Sequence, residues 1–124
     1  MARPKTIDPI ETFSENRRSQ IYKGVLDIAV LGLLRSGPEY GLQILDQLRE
    51  EAGLDVAAGS LYPLLHRLEG AGLVRSAWRH DADASHGRKY YSLTPAGTHD
   101  FEEHGAAWLA MSSQLNAFLR RKLR

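Results

Sequence analysis

Gly59-Ser60-Leu61-Tyr62-Pro63-Leu64-Leu65-His66-Arg67-Leu68-Glu69 is the stretch that decides the fold. Leu61, Leu64, Leu65 and Leu68 recur at helical spacing and form one apolar stripe. Ser60, Tyr62, Pro63, His66 and Arg67 are left on the remaining face, where hydroxyl, imidazole and guanidinium groups stand together. The pattern puts Pro63 in the first turn, where its missing N–H is no loss. Gly70 and Gly72 close the helix.

Upstream, residues 39–52 predict a second helix, with Leu42, Leu45 and Leu48 at helical spacing and charges opposite. Gly53 ends it, and residues 54–58 connect it to the helix above. Residues 20–35 are apolar on nearly every side, which predicts a helix buried on most faces and stopped by Ser36-Gly37-Pro38. Further back, Asp8-Pro9-Ile10-Glu11 carries a capping residue, a proline suited to the first helical position and an acid at the capping-box position. A short helix with Ile10 and Phe13 is expected there, ending near the polar Ser14–Gln20 stretch. The alternative is an arm that orders only against a partner.

Downstream, residues 73–79 read as a short strand. Residues 80–87 form a polar loop, and Arg88–Leu93 make a return strand rich in β-formers, giving a hairpin. Tyr90 and Tyr91 alternate faces, one toward the core and one outward. Thr94-Pro95 opens a final helix to about residue 122. Its heptad positions are Phe101, His104, Trp108, Met111, Leu115 and Phe118, with His104 the one polar member. That stripe is longer than one small core covers, so it predicts a coiled-coil-like dimer seam; the alternative is a long helix packed wholly on its own domain.

Composition narrows the function classes. The chain has 124 residues, 43% hydrophobic and 25% charged, which fits one globular domain rather than a disordered segment. Without cysteine there is no disulfide scaffold, thiol nucleophile or thiolate-based zinc or iron–sulfur set. The longest apolar run, Val25–Leu34, is too short to span a bilayer and is interrupted by Asp27 and Gly32. The polar N-terminus shows no secretory signal, so a cytoplasmic location is expected. Net charge is only +1, but it is segregated: residues 38–58 carry −4 and residues 59–93 carry +2. The last eight residues hold Arg120, Arg121, Lys122 and Arg124 with no acid. Segregation of this kind can present a basic face to a polyanion, although basic tails are commonly just solvated.

Three helices followed by a β-hairpin is the order of a winged helix-turn-helix, in which the third helix enters the major groove and the hairpin is the wing. The fold class expected is therefore mainly α with a small β-hairpin: an arm over residues 1–20, a winged helix-turn-helix over 21–94, and a C-terminal dimerisation helix over 95–124. The words themselves are more specific. The segments GSLYPLLHRLEGAGLV (Gly59–Val74), GRKYYSLTPAG (Gly87–Gly97) and LDIAVLGLL (Leu26–Leu34), with Tyr40-Gly41, closely resemble the PadR family of bacterial transcriptional regulators. The resemblance covers roughly residues 21–118 and is to the shorter subfamily with a single C-terminal helix. The arm of about twenty residues departs from many members, some of which use a similar extra helix in dimer packing. In multidrug-responsive members a tryptophan of the C-terminal helix lines an apolar pore at the dimer interface. The resemblance implies that Trp108 occupies the matching place, where a planar aromatic effector would stack. The alternative is that Trp108 simply fills the seam.

Several residues are expected to meet double-stranded DNA. Ser60 and Tyr62 stand at the start of the third helix, where hydroxyls and backbone N–H groups can hold a phosphate. Pro63 shares their face, His66 and Arg67 lie one turn on, and Arg67 has the fork to bind a guanine edge. Set against this, Tyr62 can be a half-buried ring and Arg67 a surface charge with no partner. In the wing, Arg79, Arg88 and Lys89 flank the loop, whereas Asp81 and Asp83 at the tip would repel phosphate. His80, Asp81, Asp83 and His86 match no standard metal spacing, and His99 and His104 are five apart and off a common helix face, so no metal and no cofactor are expected. There is no nucleophile–base pair, acid dyad or phosphate-binding glycine loop, so no enzyme is expected. The leading reading is a homodimeric repressor on a palindromic operator, released by a small effector. The other classes are a winged-helix interaction module without specific DNA binding, and a ligand sensor acting through a partner protein.

Overall fold

The leucine stripe of the third helix needs an apolar surface to lie on, and two preceding helices and a small sheet provide it. The computed structural model describes residues 9–80 and 87–124. After a 3-10 turn at Pro9–Thr12 come helix α1 (Glu15–Leu34), strand β1 (Glu39–Tyr40) and helix α2 (Gly41–Ala52). Helix α3 (Ala58–Gly70), strands β2 (Val74–Arg79) and β3 (Arg88–Leu93), and helix α4 (Pro95–Lys122) complete the chain. Leu61, Leu64, Leu65 and Leu68 of α3 are buried with Leu26, Val30, Leu31 and Leu34 of α1, Ile44 and Leu48 of α2, and Val74 and Tyr91 of the sheet. At roughly 1.5–3 kcal/mol per fully buried aliphatic side chain, this cluster is the main favourable term for the domain.

Several sequence expectations are corrected. The expected early helix is only the 3-10 turn Pro9–Thr12, and the chain breaks at Phe13 and the extended Ser14. Ser14 caps α1, its hydroxyl accepting from the Arg17 N–H at 3.3 Å, so the polar stretch expected to end the early helix is instead the cap and first turns of α1. Glu39 and Tyr40 do not begin α2. They form a third strand antiparallel to β3, with Glu39 opposite Tyr91 and Tyr40 opposite Tyr90, giving the order β1-β3-β2. The extended Tyr40 then serves as N-cap of α2, its N–H donating to the Gln43 side chain at 3.2 Å. The inward residues of α2 are Gly41, Ile44 and Leu48, an i, i+3, i+7 stripe one position off the expected row at Leu42 and Leu45, so Leu45 is only half-buried and Leu42 is 62% exposed. Pro63 is the sixth residue of α3 rather than part of its first turn. It brings no N–H to the carbonyl of Gly59, which lies on the exposed side where water can bind it. In α1 burial is confined to Leu26, Val30, Leu31 and Leu34, with Ile28, Ala29 and Leu33 only half-buried.

Two close approaches set the angles between elements. Gly97 of α4 lies against the carbonyl group of Leu73, and an added Cβ would overlap that oxygen and sit 2.9 Å from the carbonyl carbon. Beside it Thr94 caps α4, accepting from the Gly97 N–H at 3.0 Å and donating to the Gly72 carbonyl at 2.6 Å. The start of α4 is thus bolted to the turn between α3 and β2. Phe101 packs over Gly32 of α1, where an added Cβ would stand 2.9 Å from the ring, and Arg35 pairs with Glu102 at 3.1 Å across the same crossing. Beyond Phe101, α4 leaves the core. Its last turn carries Arg120, Arg121 and Lys122, cations that complement the negative end of the helix dipole.

Candidate nucleic-acid interface

With its leucines buried, α3 presents Ser60, Tyr62, Pro63, His66 and Arg67 to solvent, as the spacing predicted. Its N-cap, Ala57, offers no side-chain oxygen, so no side chain caps the first turn, in which the Ser60 N–H turns back to the Ala57 carbonyl at 2.9 Å. The exposed face has two shoulders. Ser60, Pro63 and Arg67 line one side of a groove of about 540 Å³ whose other wall is α1, through Ser19, Tyr22, Lys23 and Asp27. Tyr62 lies on the opposite shoulder, its hydroxyl and ring edge directly over Gly41 at the start of α2. It is 45% exposed, so it is both a packed ring and a reachable hydroxyl.

Arg67 is not a solitary surface charge. Its Nη1 and Nη2 donate to the two carboxylate oxygens of Asp27, each at 3.0 Å, in a bidentate pair that joins α3 to α1. These hydrogen bonds, and then the charge of Asp27, hold the guanidinium even more firmly protonated than usual, against slight desolvation. Both side chains remain well exposed, so the pair contributes about 1 kcal/mol or less to stability. Its effect is on where Arg67 points.

The wing carries its cations on opposite faces. Arg79 and Arg88 are register partners on one face, and Lys89 stands opposite Trp78 on the other. On the first face Tyr40 and Tyr90 meet edge to face with centroids 5.4 Å apart. Arg79 lies 4.6 Å over the Tyr90 ring and Arg88 4.5 Å over the Tyr40 ring. Each guanidinium is thereby held over its own ring, and the two rings are in contact with each other. On the other face Tyr91 is buried, with Lys89 at 5.7 Å from its ring, and Trp78 is 69% exposed at the distal end. Burial, and then the nearness of Glu69 and Tyr62, push the Tyr91 hydroxyl up, so it stays neutral. Ser76 donates to Glu69 at 2.5 Å and ties the sheet to the end of α3. Asp81, Asp83 and His86 lie outside the described residues.

The heptad positions of α4 divide. Phe101 is covered within its own chain. His104, Trp108 and Met111 line a groove of about 470 Å³ against Lys23, Asp27 and Ile28 of α1. Met111, Leu115 and Phe118 are about half-exposed, and Leu109, Leu119 and Leu123 widen the apolar face beyond a strict seam. His104 bonds Asp100 at 3.2 Å and His99 approaches Glu103 at 3.4 Å, so each histidine has its own acid one turn away. Among the described residues no three metal-ligating side chains cluster, and no helix is long and apolar enough to cross a membrane.

Sequence reasoning missed Tyr40, whose two-residue strand is too short to show periodicity, and Asp27. The signal for Asp27 was present: an acid inside an apolar run needs a partner.

The geometry agrees with comparisons to known proteins. The family model described as "Transcriptional regulator PadR-like family" matches residues 30–103. A PadR-like transcription factor from Bacteroides fragilis is 36% identical, covering 84% of this chain and 99% of its own with a TM-score of 0.67. A PadR-like transcriptional regulator from Bacillus cereus is 30% identical with a TM-score of 0.73, over 81% of this chain and 96% of its own. Bacillus subtilis PadR, solved in complex with operator DNA, is 30% identical with a TM-score of 0.59 over 68% of this chain, which spans 45% of that longer protein.

Proposed function

This chain belongs to the PadR-like family of transcriptional regulators, and from that premise we propose that it is a homodimeric repressor acting in the cytoplasm on a palindromic operator. Its α3 enters the major groove and its wing follows the adjacent backbone. The observation that carries this reading is the pairing, on one domain, of an exposed polar α3 face with a wing face on which Arg79 and Arg88 are held by stacked tyrosines. Ser60 and the open N-terminus of α3 suit a phosphate, and Tyr62, Pro63, His66 and Arg67 stand where base edges would be met. Arg79 and Arg88 serve the wing contact together, with Lys89 on the reverse face. The operator complex of the B. subtilis relative supports the DNA partner. No catalytic step is part of this role.

The second copy is assigned to α4. The apolar face from Trp108 to Leu123 is too wide to be solvated idly, and a partner helix would cover it. A planar aromatic effector is assigned to the α1–α4 groove beside Trp108, where Met111 and Ile28 supply apolar walls and His104 a polar edge. Binding there would alter the spacing of the two α3 helices and lower operator affinity.

Fluorescence anisotropy tests the reading, using DNA upstream of the gene, the sequences enriched from a random library, and scrambled DNA. A preference of about a thousandfold or more, falling steeply with salt, is expected. Equal binding to all sequences with nothing enriched would overturn it in favour of an interaction or sensor module.

A further inference from the structure

We propose that Asp27, outside the DNA-facing helix, is a specificity-determining residue of DNA recognition: it restrains the Arg67 guanidinium so that it cannot serve as a free phosphate clamp. The inference rests on the reading that α3 meets DNA.

The geometry supports it in three ways. Asp27 takes the end of the guanidinium fork, one hydrogen bond to each Nη at 3.0 Å, which fixes both the position and the plane of the group. Of the five N–H donors of an arginine, three remain, including Nε–H, so a directed contact to one acceptor is still open. The carboxylate also sets the charge of the α1–α3 groove. Lys23, Asp27 and Arg67 line it, giving a net charge of +1 that would be +2 without Asp27.

Backbone phosphates are the same on every sequence, and a mobile arginine gains affinity from them without discrimination. An arginine already neutralised and oriented gains less from a randomly placed phosphate, yet keeps what a correctly placed acceptor offers. Asp27 thereby lowers binding to the wrong DNA more than binding to the right one, which raises the ratio between them. The salt bridge that joins two helices is also a filter on the reading helix.

The test compares wild type, Asp27→Asn, Asp27→Glu and the double variant Asp27→Asn/Arg67→Gln, on selected and scrambled DNA over a range of salt. Asparagine is nearly isosteric with aspartate, and thermal melts confirm that each variant is folded. Asp27→Asn is expected to bind scrambled DNA roughly five- to tenfold tighter near 0.1 M salt, with a salt slope steeper by about one. Its preference for the selected sequence falls by a similar factor. Asp27→Glu, which keeps the charge, retains the wild-type slope, and the double variant loses the gain because the freed arginine is gone.

An unchanged or weaker affinity of Asp27→Asn for scrambled DNA overturns the proposal. So does a gain that persists in the double variant, since that would be mere removal of a negative charge near the duplex. A gain that is equal on selected and scrambled DNA, leaving the preference unchanged, overturns the specificity role of Asp27 while the repressor reading stands. Wild-type binding without any sequence preference sinks the repressor reading and the specificity role with it.

Discussion

The carbonyl of Leu73 leaves no room for a side chain at Gly97, and it is backbone, so it cannot swing aside. Gly97→Ala is expected to cost about 2–3 kcal/mol, seen as a melting temperature lower by roughly 10 °C. Gly24 is the contrast: it sits inside α1 with nothing within 4 Å of an added Cβ. Gly24→Ala is expected to stabilise the fold by about 0.5–1 kcal/mol. A Gly97→Ala protein that melts like wild type would show that the turn between α3 and β2 can yield. At this scale the sequence told most about α3, because four leucines at helical spacing leave little freedom as to which residues face out. It told least about partners. Nothing in the spacing of Arg67 announces Asp27, forty residues away, and nothing marks Gly41 as the seat of Tyr62.

Elements were legible where they are long or strongly punctuated. The return strand Arg88–Leu93 and the start of α4 at Thr94-Pro95 emerge as expected, because β-formers and a capped proline specify them locally. The start of α1 was obscured by its polarity, since exposed helical turns lack the apolar repeat that reveals a helix. Within α4, His104 makes a pH-dependent contribution. The hydrogen bond that the ring Nδ1–H donates to Asp100, and then the Asp100 charge, raise the imidazole pKa above the ordinary value, with Glu103 adding to the effect and burial opposing it slightly. Lys23 and Asp27 face the same groove from α1. A raised value means that the folded state prefers the protonated form. The stabilisation is therefore complete below the unfolded pKa of about 6.5 and is lost as pH climbs through the higher folded value. Thermal melts should show this loss over the pH units just above 6.5, and Asp100→Asn should flatten that part of the profile. Parallel profiles for the two proteins would remove His104 from the account.

For the whole molecule, the proposed second copy rests on α4 carrying more apolar surface than its own domain uses. Phe118 and Met111 are about half-exposed and are not members of the buried core, so Phe118→Glu and Met111→Glu remove none of it. Each is expected to leave the fold intact while shifting sedimentation from dimer to monomer, and to weaken operator binding at least tenfold by removing the second half-site contact. A dimer that survives both changes would place the interface elsewhere. A last consequence concerns the dipeptide Tyr40-Gly41. Tyr40 supports the stacked arginines of the wing, and its neighbour lies beneath Tyr62 of α3. In the proposed role one peptide bond therefore links both grips on the duplex, which would approach it as a single jaw. In the proposed dimer the dimension left to adjust would be the gap between two such jaws, which would make the protein a ruler. A single base pair added between half-sites turns one of them by about 34° around the duplex, a rotation that such a jaw would not follow.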